Sequence, residues 1–130
     1  MHQQDLAIVK GLVSVAWADG RIAAEESEII DSLLDAYQAT PTERREVALF
    51  AAKPRTLSDV PVHELSHDDR RVLLQHAVLV SYVDGKQHEK EKRLLDELCE
   101  VLRIPALEAQ GIVGAAEERA KSMLNVLGTR

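Results

Sequence analysis

Apolar residues recur at helical spacing along most of this chain, and Asp-Gly, Thr-Pro and Ser-x-Asp-Asp steps punctuate them. Residues 3–19 place Leu6, Val9, Leu12, Val13, Ala16 and Trp17 on one helical stripe. Asp19-Gly20 ends that helix, because glycine takes the left-handed conformation without a Cβ penalty. Residues 23–38 restart with acids in the first turn and then Ile29, Ile30, Leu33, Leu34 and Tyr37. Thr40-Pro41-Thr42-Glu43 predicts a third helix to about Lys53: a cap, proline at the first helical position, and Glu three residues after the cap. Pro54, Ser58 and Pro61 make residues 54–65 a connector with one short turn. Ser66 caps a long fourth helix, and Asp68 and Asp69 favour its positive end. Val72, Leu73, Ala77, Val78 and Val80 form its buried side as far as Tyr82, and Asp84-Gly85 breaks it. A fifth helix spans about 88–102 through Leu94, Leu95, Leu98, Cys99 and Leu102. Pro105 opens a last helix to about Leu127, on which Gly111 and Gly114 predict a close helix crossing. No strand-like alternation exceeds a few residues, so the fold class is all-α.

Within this pattern one segment occurs twice. Residues 13–34, VSVAWADGRIAAEESEIIDSLL, match residues 78–99, VLVSYVDGKQHEKEKRLLDELC, at an offset of 65 residues. Val15 aligns with Val80, Trp17 with Tyr82, Asp19 with Asp84, Gly20 with Gly85 and Glu26 with Glu91. The chain is thus read as a single helical domain, 1–130, built from two pseudo-repeat hairpins at about 5–38 and 67–102. A helix, a connector and a closing C-terminal helix complete it.

Composition narrows the function classes. Net charge is -6 and aromatics are 3%, which argues against a phosphate-tracking surface or a stacking platform for nucleic acid. Arginines in Glu43-Arg44-Arg45-Glu46 and Asp68-Asp69-Arg70-Arg71 read as neutralised within their own runs. No apolar run reaches the roughly 20 residues of a membrane-spanning helix, and the start, MHQQDLAIVK, is not a signal peptide. Cys99 has no second cysteine to pair with, takes the repeat slot of Leu34, and reads as a buried core residue in a reducing, cytoplasmic setting.

The repeated Asp-Gly-x5-Glu element carries the candidate chemistry. Asp at a helix C-terminus sits badly against the helix dipole, so two such residues need a reason. One reason is local: each Asp accepts backbone N–H groups and caps the next helix, with Arg21 and Lys86 as ion-pair partners. The other is a divalent cation, Ca or Mg, bound by Asp19, Glu26, Asp84 and Glu91 if both hairpins present their turns at one end. The pattern argues against an EF-hand, because its first ligand positions fall on the apolar Val15, Trp17, Val80 and Tyr82.

The phrase A-x-A-D-G-x-I-x-x-E-E at residues 16–26 resembles the TerB-like tellurite-resistance family. So do V-D-G-K-x-H-x-x-E at residues 83–91 and the following run at 94–104 that ends Leu-Arg-Ile. The resemblance extends from the first helix through Leu107. Gln87 departs from it, standing where an apolar residue like Ile22 is usual. The resemblance implies a compact all-helical bundle, bacterial cytoplasmic origin, stress-response association, and an acidic cluster proposed to bind metal. By motif position that cluster is again Asp19, Glu26, Asp84 and Glu91.

His63-Glu64-Leu65-Ser66-His67 spells H-E-x-x-H, the zinc-protease signature, which requires both histidines on one continuous helix. Pro61 before it and the capping Ser66 within it argue for a connector and a helix start instead. Ser14 and Ser81 read as small helical residues, and Trp17 and Tyr82 as core. The sequence therefore reads as a non-enzymatic binding or sensing module with a protein partner, either a basic one or a second copy. The rivals are a metal-dependent hydrolase using His63, Glu64 and His67, and a purely structural dimeric scaffold.

Overall fold

Six α-helices and two 3-10 turns account for the secondary structure of the computed structural model, which describes residues 3–18, 24–81 and 89–128. They are α1 (Gln3–Ala18), α2 (Ala24–Ala36), α3 (Pro41–Ala51), the turns Leu57–Asp59 and Val62–Glu64, α4 (His67–Ser81), α5 (Glu89–Val101) and α6 (Ala106–Gly128). No strand occurs among the described residues, as the 3.6-residue spacing requires.

The helix starts follow their capping residues. Thr40 Oγ1 accepts the Glu43 N–H at 3.2 Å, and Glu43 Oε1 accepts the Thr40 N–H at 2.8 Å. That backbone donor holds the Glu43 carboxyl below its ordinary pKa. Ser66 and Asp69 make the same reciprocal pair at the head of α4, at 3.1 and 3.3 Å. Each such cap satisfies N–H groups the helix cannot bond internally.

The duplication reaches beyond the hairpins. α2 and α5 start 65 residues apart, and so do α3 and α6. At the end of α2, Gln38 N–H bonds Asp35 C=O at 3.0 Å and Ala39 N–H bonds Leu34 C=O at 2.9 Å. At the end of α5, Arg103 N–H bonds Glu100 C=O at 3.0 Å and Ile104 N–H bonds Cys99 C=O at 3.2 Å. Both are Schellman closures, which need a left-handed residue after the helix. Gln38 (φ 58°) and Arg103 (φ 56°) supply it without being glycine. The next helix then opens with Arg44 N–H on Thr40 C=O and Ala109 N–H on Pro105 C=O. The unit that recurs is thus three helices, α1–α3 and α4–α6.

Two contacts and one shared electrostatic neighbourhood give the relative direction of α1 and α4. Near their starts, Gln3 Nε2 donates to Glu64 Oε1 at 2.7 Å. The half-buried Tyr37 phenol is raised in pKa by burial and then by both Asp5 and Asp69, so the heads of the two helices flank one group. Farther along, Gly11 lies against Leu73. The helices therefore run side by side in the same direction. Arg70 Nη1 donates to Leu102 C=O at 3.2 Å, which brings the end of α5 back to the head of α4. At the corresponding end of α2, Tyr37 feels the charge of Asp5 on α1.

The core gathers on α1 and α4, which pack on each other, while α3 packs on α1 and α6 on α4. Val9, Leu12, Val13, Leu73, Leu74, Val78, Leu98 and Leu102 are fully buried. The close approach falls at Gly11 and not at Gly111 or Gly114. A Cβ on Gly11 would sit 2.6 Å from Leu73 Cδ2, whereas Cβ atoms on Gly111 and Gly114 would meet nothing within 4 Å. The repeat accounts for this placement, because Gly111 and Gly114 occupy the slots of the exposed Glu46 and Leu49. The arginine runs are also not self-contained. Arg44 pairs with Asp35 of α2 at 2.5 Å, and Arg71 pairs with Glu108 of α6. Arg70 ties Leu65, Leu102 and Val62 carbonyls together at 3.1–3.2 Å. Cys99 is half-buried, and its thiol pKa is pushed up by burial and by Asp96.

Candidate functional site

The acidic element joins the first helix of each hairpin to the second. α1 ends at Ala18 and α4 at Ser81, and α2 and α5 begin at Ala24 and Glu89. Because α1 and α4 run in the same direction, these four helix ends lie at one end of the bundle, away from Asp5, Tyr37 and Asp69. Glu26 is the third residue of α2, half-buried and engaged by its surroundings. Glu91 is the third residue of α5, although its side chain is outside the described residues. Both positions are in a first turn, where the helix dipole favours a carboxylate. Asp19, Gly20, Asp84 and Gly85 lie outside the described residues, as do Arg21, Lys86, Gln87 and Tyr82. Among the described residues no three His, Cys, Asp or Glu side chains gather in a way that could hold a metal.

Next to this end, Trp17 is half-buried against the core, and its Nε1 donates to Ala51 C=O at 2.8 Å. That bond pins the last turn of α1 to the last residue of α3, one residue before α1 ends at Ala18.

The H-E-x-x-H stretch does not form the helix its chemistry needs. His63 and Glu64 close the second 3-10 turn, Leu65 is extended (φ -103°, ψ 127°), and His67 opens α4. Leu65 is buried in the core, while His63 and His67 are exposed. Glu64 accepts from Gln3 and Ser66 caps α4. Ser14 is fully buried and donates to Lys10 C=O at 3.0 Å, a back-bond within its own helix. His76 is half-buried on α4, and burial lowers its pKa.

Sequence reasoning missed the Arg70 tie. The signal was present: Arg70 stands in the repeat slot of Asp5, the only charge reversal near the helix heads, beside a connector whose carbonyls lack helical partners. No helix among the described residues is long and apolar enough to cross a membrane. Comparison with protein-family models, with curated proteins and with solved structures finds no match.

Proposed function

We propose that this chain is a TerB-like helical domain, a non-enzymatic binding or sensing module of the bacterial cytoplasm associated with the tellurite stress response. Its repeated acidic turns take a divalent cation, Ca or Mg, through Asp19, Glu26, Asp84 and Glu91. The observation that supports this reading most is the common direction of α1 and α4. It brings the helix ends that bound both acidic turns to one end of the bundle. Parallel placement is compatible with a shared four-carboxylate site, and antiparallel placement would have separated the turns by the helix length. Hard cations favour such oxygen ligands, and an incomplete cage gives modest affinity. The carboxylates also repel one another, so a cation between them relieves charge strain. The protein acts by presenting this end, loaded or empty, to a protein partner.

The test is a Ca and Mg titration followed by NMR on the wild type and on Asp19→Asn/Asp84→Asn. The expected result is saturable shifts at Glu26 and its neighbours in the wild type, absent in the double variant, and thermal stabilisation that grows with ion concentration. Local capping predicts otherwise. Asn caps nearly as well as Asp, so the double variant would keep its stability and the wild type would ignore the ions.

A further inference from the structure

A second candidate site lies on the flank of the first half. α2 and α3 pack on α1 more than on each other, and a groove of about 480 Å³ opens between them. Its floor is apolar: Val13 of α1, Ile30 and Leu34 of α2, and Val47 of α3. These four are core residues, buried to 6% exposure or less, so the groove reaches the core itself. Asp31 forms one wall and the exposed Ala48 the other.

The α2 side of the groove is acidic, and α3 opposite mixes Arg44 and Arg45 with Glu43 and Glu46. α2 carries five acids and neither Lys nor Arg, in a chain whose whole net charge is -6. Glu28, Asp31 and Asp35 are exposed and follow one another at i, i+3 and i+7, neighbours along one helix face. Arg44 is the groove's own cation, and it is spent on Asp35 at 2.5 Å and on Ala39 C=O at 3.4 Å. Glu28 and Asp31 have no ion pair among the described residues. The second half lacks this character, since the slots of Ser27 and Glu28 hold Lys92 and Arg93. An apolar floor with an acidic α2 wall, Asp31 in the groove and Glu28 one turn before it, matches a segment of opposite pattern.

We infer that the α2–α3 groove docks a basic amphipathic segment of a protein partner. Its apolar side chains enter between Ile30, Leu34 and Val47, and its Lys or Arg side chains pair with Glu28 and Asp31. This is helix-in-groove recognition, in which apolar anchors supply affinity and the flanking charges choose the partner and its orientation. The site is separate from the acidic turns, so it stands or falls independently of cation binding.

The probe is a synthetic helical peptide of about 14 residues, Leu on one face and Lys on the other, tested at about 0.15 M salt to screen loose charge attraction. Binding is read by NMR shifts and by fluorescence anisotropy of the labelled peptide. Shifts should concentrate at Ile30, Leu34, Val47 and Ala48. A peptide with Glu in place of Lys should not bind. Two variants separate groove from charge. Ala48→Phe fills the groove and leaves the charge, and Glu28→Lys/Asp31→Lys reverses the charge and leaves the groove. Each should weaken binding by about tenfold or more, equivalent to about 1.4 kcal/mol. Circular dichroism confirms that both are folded, as exposed substitutions allow. Shifts spread over the whole acidic surface, or an affinity unchanged by Ala48→Phe, would overturn the inference. So would equal binding of the Glu peptide.

Discussion

The two halves of the molecule share their backbone closures and differ in what they show to solvent. α2 and α5 end in the same pair of hydrogen bonds around Gln38 and Arg103, and α3 and α6 open at equivalent residues. Their outer chemistry has separated. α2 is purely acidic, and α5 mixes Lys90, Lys92 and Arg93 with its acids. Phe50 of α3 lies under the cations of Lys10 and Arg55, at 5.8 and 4.0 Å from its ring centroid, and its slot in α6 is Ala115. α3 stops at Ala51, whereas α6 continues to Gly128. The lesson is a division of labour. Closures and core positions hold the three-helix unit, and the freedom left at the surface is where the halves differ in charge and side-chain type.

If the halves form one cooperative core, a cavity in either should weaken both. Leu74, in the repeat slot of Val9, is fully buried on α4. Leu74→Ala should cost about 3 kcal/mol, with a single denaturant transition. Two transitions would show that the halves unfold separately. A smaller effect sharpens the contrast at the helix crossing. Gly11→Ala gains about 1 kcal/mol of helix propensity but drives a methyl into Leu73, a fully buried side chain with little room to move. Overpacking of this kind costs about 1–3 kcal/mol, so the variant should be less stable than wild type. Gly111→Ala meets no obstacle and should stabilise by up to about 1 kcal/mol. A gain at Gly11 or a loss at Gly111 would reverse the assignment of the close contact.

The smallest effect concerns pH. His76 stands in the slot of Gly11, and burial depresses its pKa below the ordinary 6.5. The unfolded chain then binds the proton more readily than the folded one. This contribution is present above about pH 6.5 and is lost as the pH falls through the depressed folded value. Urea unfolding between about pH 7 and 5 should show stability falling with pH, and His76→Gln should flatten that slope. An unchanged slope would mean that other groups set it.

Much of the fold was legible because helices announce themselves locally. Thr40, Ser66 and the apolar stripes predict starts and faces from adjacent residues. The third helix of each repeat is not legible as a repeat, because Pro41–Ala51 and its counterpart share few residue types; the closures at Gln38 and Arg103 make the relation plain. Neither closure residue is Gly or Asn, so no turn signal marked it. Gly111 and Gly114 misled because two small residues on one helix suggest a contact, and burial depends on a neighbour the local pattern does not contain. For the same reason the arginine runs do not reveal Asp35 and Glu108 as their partners. At the candidate site the residue types and spacing were legible, whereas the common direction of α1 and α4 is tertiary and came from Gln3, Tyr37 and Gly11.

The central claim, that both acidic turns serve one cation, is tested most directly with Mn²⁺ as a paramagnetic stand-in for Ca²⁺ or Mg²⁺. One bound Mn²⁺ broadens nuclear resonances in its vicinity. The account predicts that amide signals flanking both turns, at Ala18 and Glu26 and at Ser81 and Glu91, broaden together along a single binding curve. Signals at Asp5, Tyr37 and Asp69, at the far end of the bundle, should stay sharp. Asp19→Asn/Asp84→Asn should abolish the effect. Broadening confined to one turn, two separable binding curves, or no broadening at either turn would contradict it.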